Sequence, residues 1–158
     1  MLIPLAFLPL GSAAVTSVFF TKLLAECMTN FHAFFVIGPN HTADDLYRFN
    51  FHYRNKAEFY ATQVLGSANY RCGSERVDFL SIWLNYQIEH HLFPDLPMLK
   101  YREIQPRVKA LCEKHGLPYR QESNWRRFKR MISVCVGRTQ MPTMSGVVSL
   151  QNLPGKAH

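Results

Sequence analysis

The first 21 residues, Met1 to Thr21, contain no charged side chain. A charge-free run of that length is about what a helix needs to cross a bilayer. Hydrophobic residues make up 47% of the 158-residue chain, an ordinary soluble average, so the distribution carries the signal and the mean does not. The chain also lacks a positive region ahead of the apolar run, and Pro4 and Pro9 interrupt it, which argues against a secretory leader. No two of the four cysteines, Cys27, Cys72, Cys112 and Cys135, stand at C-x-x-C spacing. They read as scattered reduced thiols and exclude a disulfide framework. H-E-x-x-H is absent, which with a poor ligand count disfavours an independent zinc domain. There is no internal repeat, and the length suits one ordinary domain.

The net charge is +7, and the basic residues cluster late, at Arg120, Arg126, Arg127, Lys129, Arg130 and Arg138. No nucleic-acid-reading motif accompanies them, so nucleic acid is not the expected partner. Behind apolar N-terminal segments, this excess reads as a cytoplasmic flank.

Residues 1–38 form the membrane-like part, and two subdivisions are open. Either 1–20 and 23–38 are two helices, or Pro9-Leu10-Gly11 is a turn and 12–37 is one helix. Turn chemistry favours the second, with Gly38-Pro39 ending or kinking it. Residues 42–59 look like a polar and aromatic connection, and 59–70 like an interfacial helix or strand. The pattern predicts one helix over 77–92, with Phe79, Leu80, Trp83 and Leu84 apolar, broken at Pro94. It predicts a second over 101–116, with Ile104, Val108, Leu111 and Cys112 in one stripe. Residues 124–137 place Trp125, Phe128, Ile132 and Val136 on one face and basic residues on the other. That is the composition of a helix lying on a membrane surface or on the protein's own body. The tail from Thr139 to His158 reads as unstructured.

The stretch with chemistry is "NYQIEHHLFPDLP", residues 85–97. On a helix, Gln87 shares a face with His90 at i+3 and His91 at i+4. Adjacent histidines diverge by about 100°, so their rings can reach two ions a few ångströms apart. Imidazole suits iron, zinc and copper. Glu89 points away from that face, where it can accept the second N–H of a ligating imidazole or pair with a base. Spacing alone leaves two readings open, a solvated surface pair and a metal site. His41 is available as a third ligand, just past an apolar helix end; His32 and His52 read as structural or solvated.

"LNYQIEHHLFPDLP" resembles the third histidine box of membrane fatty acid desaturases. The Q-x-x-H-H form is similar to the front-end type, many members of which are fused to cytochrome b5. "QVLGSANY" before the box and "PMLKYREIQPRVKALCEKHGLPY" after it are similar to the family's flanking segments. The resemblance covers residues from about 30 to 122. It implies an all-α fold, a transmembrane helix or hairpin under a cytosolic helical cap, as a partial membrane desaturase fold. The domains would be transmembrane residues 1–38, a cap over 39–122, and a basic amphipathic helix with a flexible tail over 123–158. It implies a histidine-rich di-iron centre, with metal ligands at His90, His91 and, more loosely, His41. Gln87 holds the variable box position, and Glu89 and Asn40 stand beside the ligands.

The implied reaction is O2-dependent introduction of a double bond into an acyl chain. An unactivated C–H bond offers no acidity, so the metal carries the chemistry. Electrons would come from cytochrome b5, steered by Arg102, Arg107, Lys109, Arg120, Arg126 and Arg127, unless those charges face water or anionic lipid. Membrane lipid and a fatty acyl substrate are the other partners. The location would be integral to the endoplasmic reticulum membrane, with 39–158 cytosolic. A sphingolipid desaturase or di-iron hydroxylase fits the same box. The family's H-x-x-x-H and H-x-x-H-H boxes do not occur in this chain. It therefore reads as the C-terminal third of a desaturase, as a fragment, a truncated gene model or a degenerate, non-catalytic copy. Regioselectivity, chain length and acyl carrier are not encoded in this stretch.

Overall fold

The computed structural model describes residues 3–145. The chain is mainly helical and divides into two compact units between Phe35 and Val36. A 3-10 helix over Ile3–Leu10 ends at a turn, with Gly11 at φ +94°. The helix α1, Ser12–His41, follows as one continuous element, as the Pro9-Leu10-Gly11 punctuation predicts. Up to Phe35 its apolar side chains are largely exposed, Met28, Phe31 and Leu24 among them. Thirty residues of α-helix are about 45 Å long. Even so, no helix among the described residues is long and apolar enough to cross a membrane, and the expected span over 1–38 is met by none. Lys22 and Glu26, joined at 2.8 Å, together with Asn30 and His32, dilute the apolar run.

Gly38-Pro39 does not end α1, which runs on to His41. Tertiary bonds hold the last turn against the missing proline N–H. Asn40 Nδ2 donates to Leu84 O at 2.9 Å, Ala68 N donates to Asn40 O at 3.2 Å, and Arg127 Nε donates to Pro39 O at 3.3 Å. A turn then leads to β1, Arg48–Phe49, which pairs in parallel with β2, Thr143–Met144. That pairing gives part of the expected unstructured tail a fixed place; the rest of that expectation lies outside the described residues.

The helix α2, Lys56–Leu65, begins where Asn55 Oδ1 accepts from Glu58 N, and Glu58 Oε2 accepts from the N–H of Arg54, one residue ahead of the cap. The helix predicted over 77–92 is broken in the structure. It becomes α3, Glu75–Leu80, a 3-10 turn over Leu84–Tyr86, and α4, Gln87–Leu92. Ile82 and Trp83 between them sit at φ 52° and 55°, rare for such side chains. In a continuous helix Asp78 and Asn85 would lie about 10 Å apart along the axis. The break instead joins Asn85 Nδ2 to Asp78 Oδ1 at 2.6 Å and Tyr86 OH to Asp78 Oδ2 at 3.0 Å, all three groups buried. Polar satisfaction therefore overrides the apolar period.

The helix α5, Met98–Lys114, follows the predicted stripe, with Val108 and Cys112 buried, although Leu111 is exposed. It stops at Gly116, φ +66°. Val64, Ile88, Val108 and Cys112 form a core between α2, α4 and α5. All four cysteines are free; burial pushes the Cys112 thiol up to about 11.

The last helix, α6, Asn124–Cys135, is capped by Ser123 and buries Arg127 and Met131. Arg127 is 0% exposed and bonds Asp45 through Nη1 at 2.8 and 2.9 Å. Arg130 meets Asp44 at 2.6 Å and Glu122 at 3.2 Å, and Arg120 meets Asp45 at 3.4 Å. Arg127 therefore cannot belong to a steering surface, and Arg120 is turned inward: both charges are used to tie α6 and the preceding loop to the end of α1. Replacing Arg127 with Met removes the bonds to Asp45 and Pro39 O while Arg120 and Arg130 still pair Asp45 and Glu122, and it is expected to cost about 1–3 kcal/mol in chemical unfolding. An unchanged midpoint would mean that the network does not secure α6.

Candidate metal centre

The box occupies α4, a helix of only six residues. So short a helix has no stability of its own, and its side chains are aimed by tertiary contacts. Chief among these is Asn69, 0% exposed. Its Oδ1 accepts from Ile88 N at 2.8 Å, fixing the first turn of α4. Its Nδ2 donates to Glu89 Oε2 at 2.7 Å, and Tyr119 OH donates to Glu89 Oε1 at 2.8 Å. Glu89 is fully buried and has no ion-pair partner among the described residues. Burial raises its pKa, and the bonds from Asn69 and Tyr119 counter that. Neither role expected for Glu89 is met: its oxygens serve Asn69 and Tyr119, not an imidazole or a base.

The imidazoles have other supports. His91 Nδ1 lies 3.0 Å from Gln63 Oε1 on α2, and His90 Nδ1 lies 3.0 Å from Tyr101 OH on α5. An amide oxygen only accepts, so His91 carries its proton on Nδ1 and presents a lone pair at Nε2. Tyr101 OH has two acceptors within reach, His90 Nδ1 at 3.0 Å and Phe93 O at 3.4 Å; when its hydrogen goes to Phe93 O it accepts from His90, which then takes the same tautomer as His91. Holding a ring through one nitrogen and offering the other is how ligating histidines are usually oriented.

His41 arrives from the end of α1. Its ring centroid lies 5.1 Å from that of His91, and the His90 and His91 centroids are 5.9 Å apart. Burial lowers the pKa of His91 to about 4, and the neighbouring His41 and His90 add to this. Burial also lowers that of His41, with His90 contributing. Neutral imidazole is the ligating form. Gln87 is buried, and its Oε1 has no hydrogen-bond partner among the described residues. Asn40 spends its amide nitrogen on Val36 O and Leu84 O, anchoring α1 beside the site.

The donors therefore suit a histidine-ligated metal in chemistry and tautomer, but not in number. No group of three or more His, Cys, Asp or Glu side chains among the described residues stands ready to hold an ion. The chain offers part of a donor set. Sequence reading missed Gln63, Tyr101, Asn69 and Tyr119, although each lies in the segments flanking the box. Gln63→Leu and Tyr101→Phe are each expected to weaken Co2+ binding by roughly 10- to 100-fold, as loss of such supports does elsewhere. Unchanged titrations in both variants would show that the rings do not depend on these partners.

Residues 1–123 match the fatty acid desaturase family. Over 64 residues the chain is 47% identical to the NADPH-dependent stearoyl-CoA 9-desaturase of Mycobacterium tuberculosis, covering 40% of this chain and 15% of that protein. Over 86 residues it is 41% identical to Delta(8)-fatty-acid desaturase 2 of Arabidopsis thaliana, covering 54% and 18%. Over 43 residues it is 60% identical to fatty acid desaturase 3 of Bos taurus, covering 27% and 10%. The chain thus spans less than a fifth of the length of each of these relatives. No solved structure matches. With the box, its flanks and most of the chain inside one family match, the chain belongs to the fatty acid desaturase family.

Proposed function

We propose that this chain supplies the third-box portion of an O2-dependent acyl desaturase of the front-end type, with His90, His91 and His41 as iron ligands. The observation that carries this reading is the pair of box rings, each bonded through Nδ1 to a side chain of a neighbouring helix. Bound iron would supply the oxidising power that removes hydrogen from an unactivated methylene, which no side chain provides. Gln63 and Tyr101 hold the imidazole protons at Nδ1, and Asn69 and Tyr119 fix the turn between them through Glu89. Gln87, whose oxygen is buried without a partner, stands at the variable box position.

An apolar hollow of about 620 Å3 begins one residue beyond His91, lined by Leu92, Phe93, Val64, Val108 and Leu111 among others. Its size and lining suit an alkyl chain, which supports a fatty acyl substrate. The exposed apolar side chains between Ile3 and Phe34 support attachment to a membrane; by family resemblance that membrane would be the endoplasmic reticulum, with the box on the cytosolic side. Cytochrome b5, or a domain like it, would supply electrons. Arg102, Arg107 and Lys109 on α5, with Arg126 on α6, remain as its docking charges.

A second reading is a family member that keeps the cap and binds no iron, since no group of three or more ligating side chains stands together among the described residues. Metal analysis separates the two. Detergent-purified chain loaded anaerobically with Fe2+ is expected to retain iron, and His90→Ala or His91→Ala to lower the affinity at least tenfold. Iron at background, unchanged by either substitution, would remove the metal-site claim for this chain.

A further inference from the structure

His90 and His91 are each bonded through Nδ1 to a side chain of a neighbouring helix. The ring of His41 has no hydrogen bond among the described residues; its near neighbour is the ring of His91, 5.1 Å away between centroids. A side chain with no bond of its own is aimed by its backbone, which sets where the Cα–Cβ vector points and which rotamers are open. The place of the His41 ring therefore depends on what fixes the chain on either side of it.

One side chain bonds both sides. On the N-terminal side of His41, Arg127 Nε donates to Pro39 O at 3.3 Å. On the C-terminal side, Arg127 Nη1 donates to the two oxygens of Asp45 at 2.8 and 2.9 Å. The guanidinium is a rigid planar fork, so these bonds hold Pro39 and Asp45 at one spacing. They act where α1 is weakest, since Pro39 leaves its last turn one backbone bond short. Other groups hold one side each. Asn40 is anchored to Leu84 O and by Ala68 N, while Arg130 and Arg120 reach Asp44 and Asp45. Arg127 is also 0% exposed, and its Nη2 has no partner among the described residues. A buried guanidinium with an unsatisfied nitrogen is an unfavourable way to hold a helix against a core. What it provides is placement.

We infer that Arg127 is a positioning residue for His41. It spans residues 39–45 and sets where the unsupported ring stands against His91. It acts through the backbone and touches neither ring. Arg127 lies on α6, beyond residues 1–123 that match the family, so the last helix becomes part of what builds the site. The consequence for metal binding rests on the centre proposed above; the placement of the ring is a property of the metal-free chain.

The test uses the full chain in detergent. Arg127→Lys keeps the charge beside Asp45 and loses the fork. Ser123→Ala removes the cap of α6 with Arg127 in place, and so controls for a loosened helix. In the metal-free protein, a nuclear Overhauser contact between the His41 and His91 rings is expected in the parent and in Ser123→Ala, and its loss in Arg127→Lys. The contact between His90 and Tyr101 should survive in all of them. Should Arg127→Lys not fold, Asp45→Asn loosens the same grip from its other end, with the same loss expected. A His41–His91 contact that persists in the folded variant, or that Ser123→Ala abolishes as well, would overturn the proposal. Co2+ titration is the second readout. Arg127→Lys should weaken binding about tenfold and add nothing in a His41→Ala background. An equal loss in that background would mean that Arg127 acts elsewhere, and the proposal would fail. If His41→Ala leaves Co2+ binding unchanged while the ring contact responds as expected, His41 leaves the proposed ligand set and its positioning by Arg127 stands.

Discussion

A carboxylate is buried in this protein with no ion-pair partner among the described residues, and the geometry of the box depends on how that is tolerated. Glu89 stays acceptable only because Asn69 and Tyr119 both donate to it. Those donors are in turn fixed. Asn69 is bonded through its backbone to Arg120 and Glu122, and Tyr119 also accepts from Gln105. The loop after α5, the segment after α2 and the first turn of α4 thereby become one unit. Losing any member would leave a buried group unsatisfied, which is costly in a low-dielectric interior. The arrangement does for a six-residue helix what length and capping do for longer ones.

The same device is repeated around the site. Each element that presents a histidine is held from behind by polar bonds. Asn40 and Arg127 hold the last turn of α1, which delivers His41. Gln63 and Tyr101 hold the rings of His91 and His90 from α2 and α5. Three helices thus converge on two imidazoles, each of which is bonded through Nδ1. Depressed proton affinity at His41 and His91 follows from burial and mutual proximity, and it keeps both rings in the form that binds metal. The donor count falls short of a complete centre, consistent with a chain that lacks the other two boxes.

Some of this was legible in the sequence. The long helix after Gly11, the stripe of α5 and the box with its flanks follow from periodicity, turn residues and motif. The break within 77–92 was not legible, because Asp78, Asn85 and Tyr86 outweigh the apolar period only once folding has buried them together. Nor was the burial of Arg127 on α6, since the sequence reading left open whether that helix meets a membrane or the protein's own body and counted Arg127 among the outward charges. Glu89 was visible but was given the wrong partners, because its bonds reach Asn69 and Tyr119, far from it in sequence. Gln63 and Tyr101 stood in segments already singled out, with nothing local to mark them as supports for the histidines.

The central claim is that His90 and His91 are held through Nδ1 so that Nε2 is open. Two-dimensional 15N–1H correlation of the histidine rings in the metal-free chain tests it most directly. Both box residues should show a protonated Nδ1 and an unprotonated Nε2 at neutral pH. Protonated Nε2 on either ring, or fast exchange between tautomers, would contradict the account.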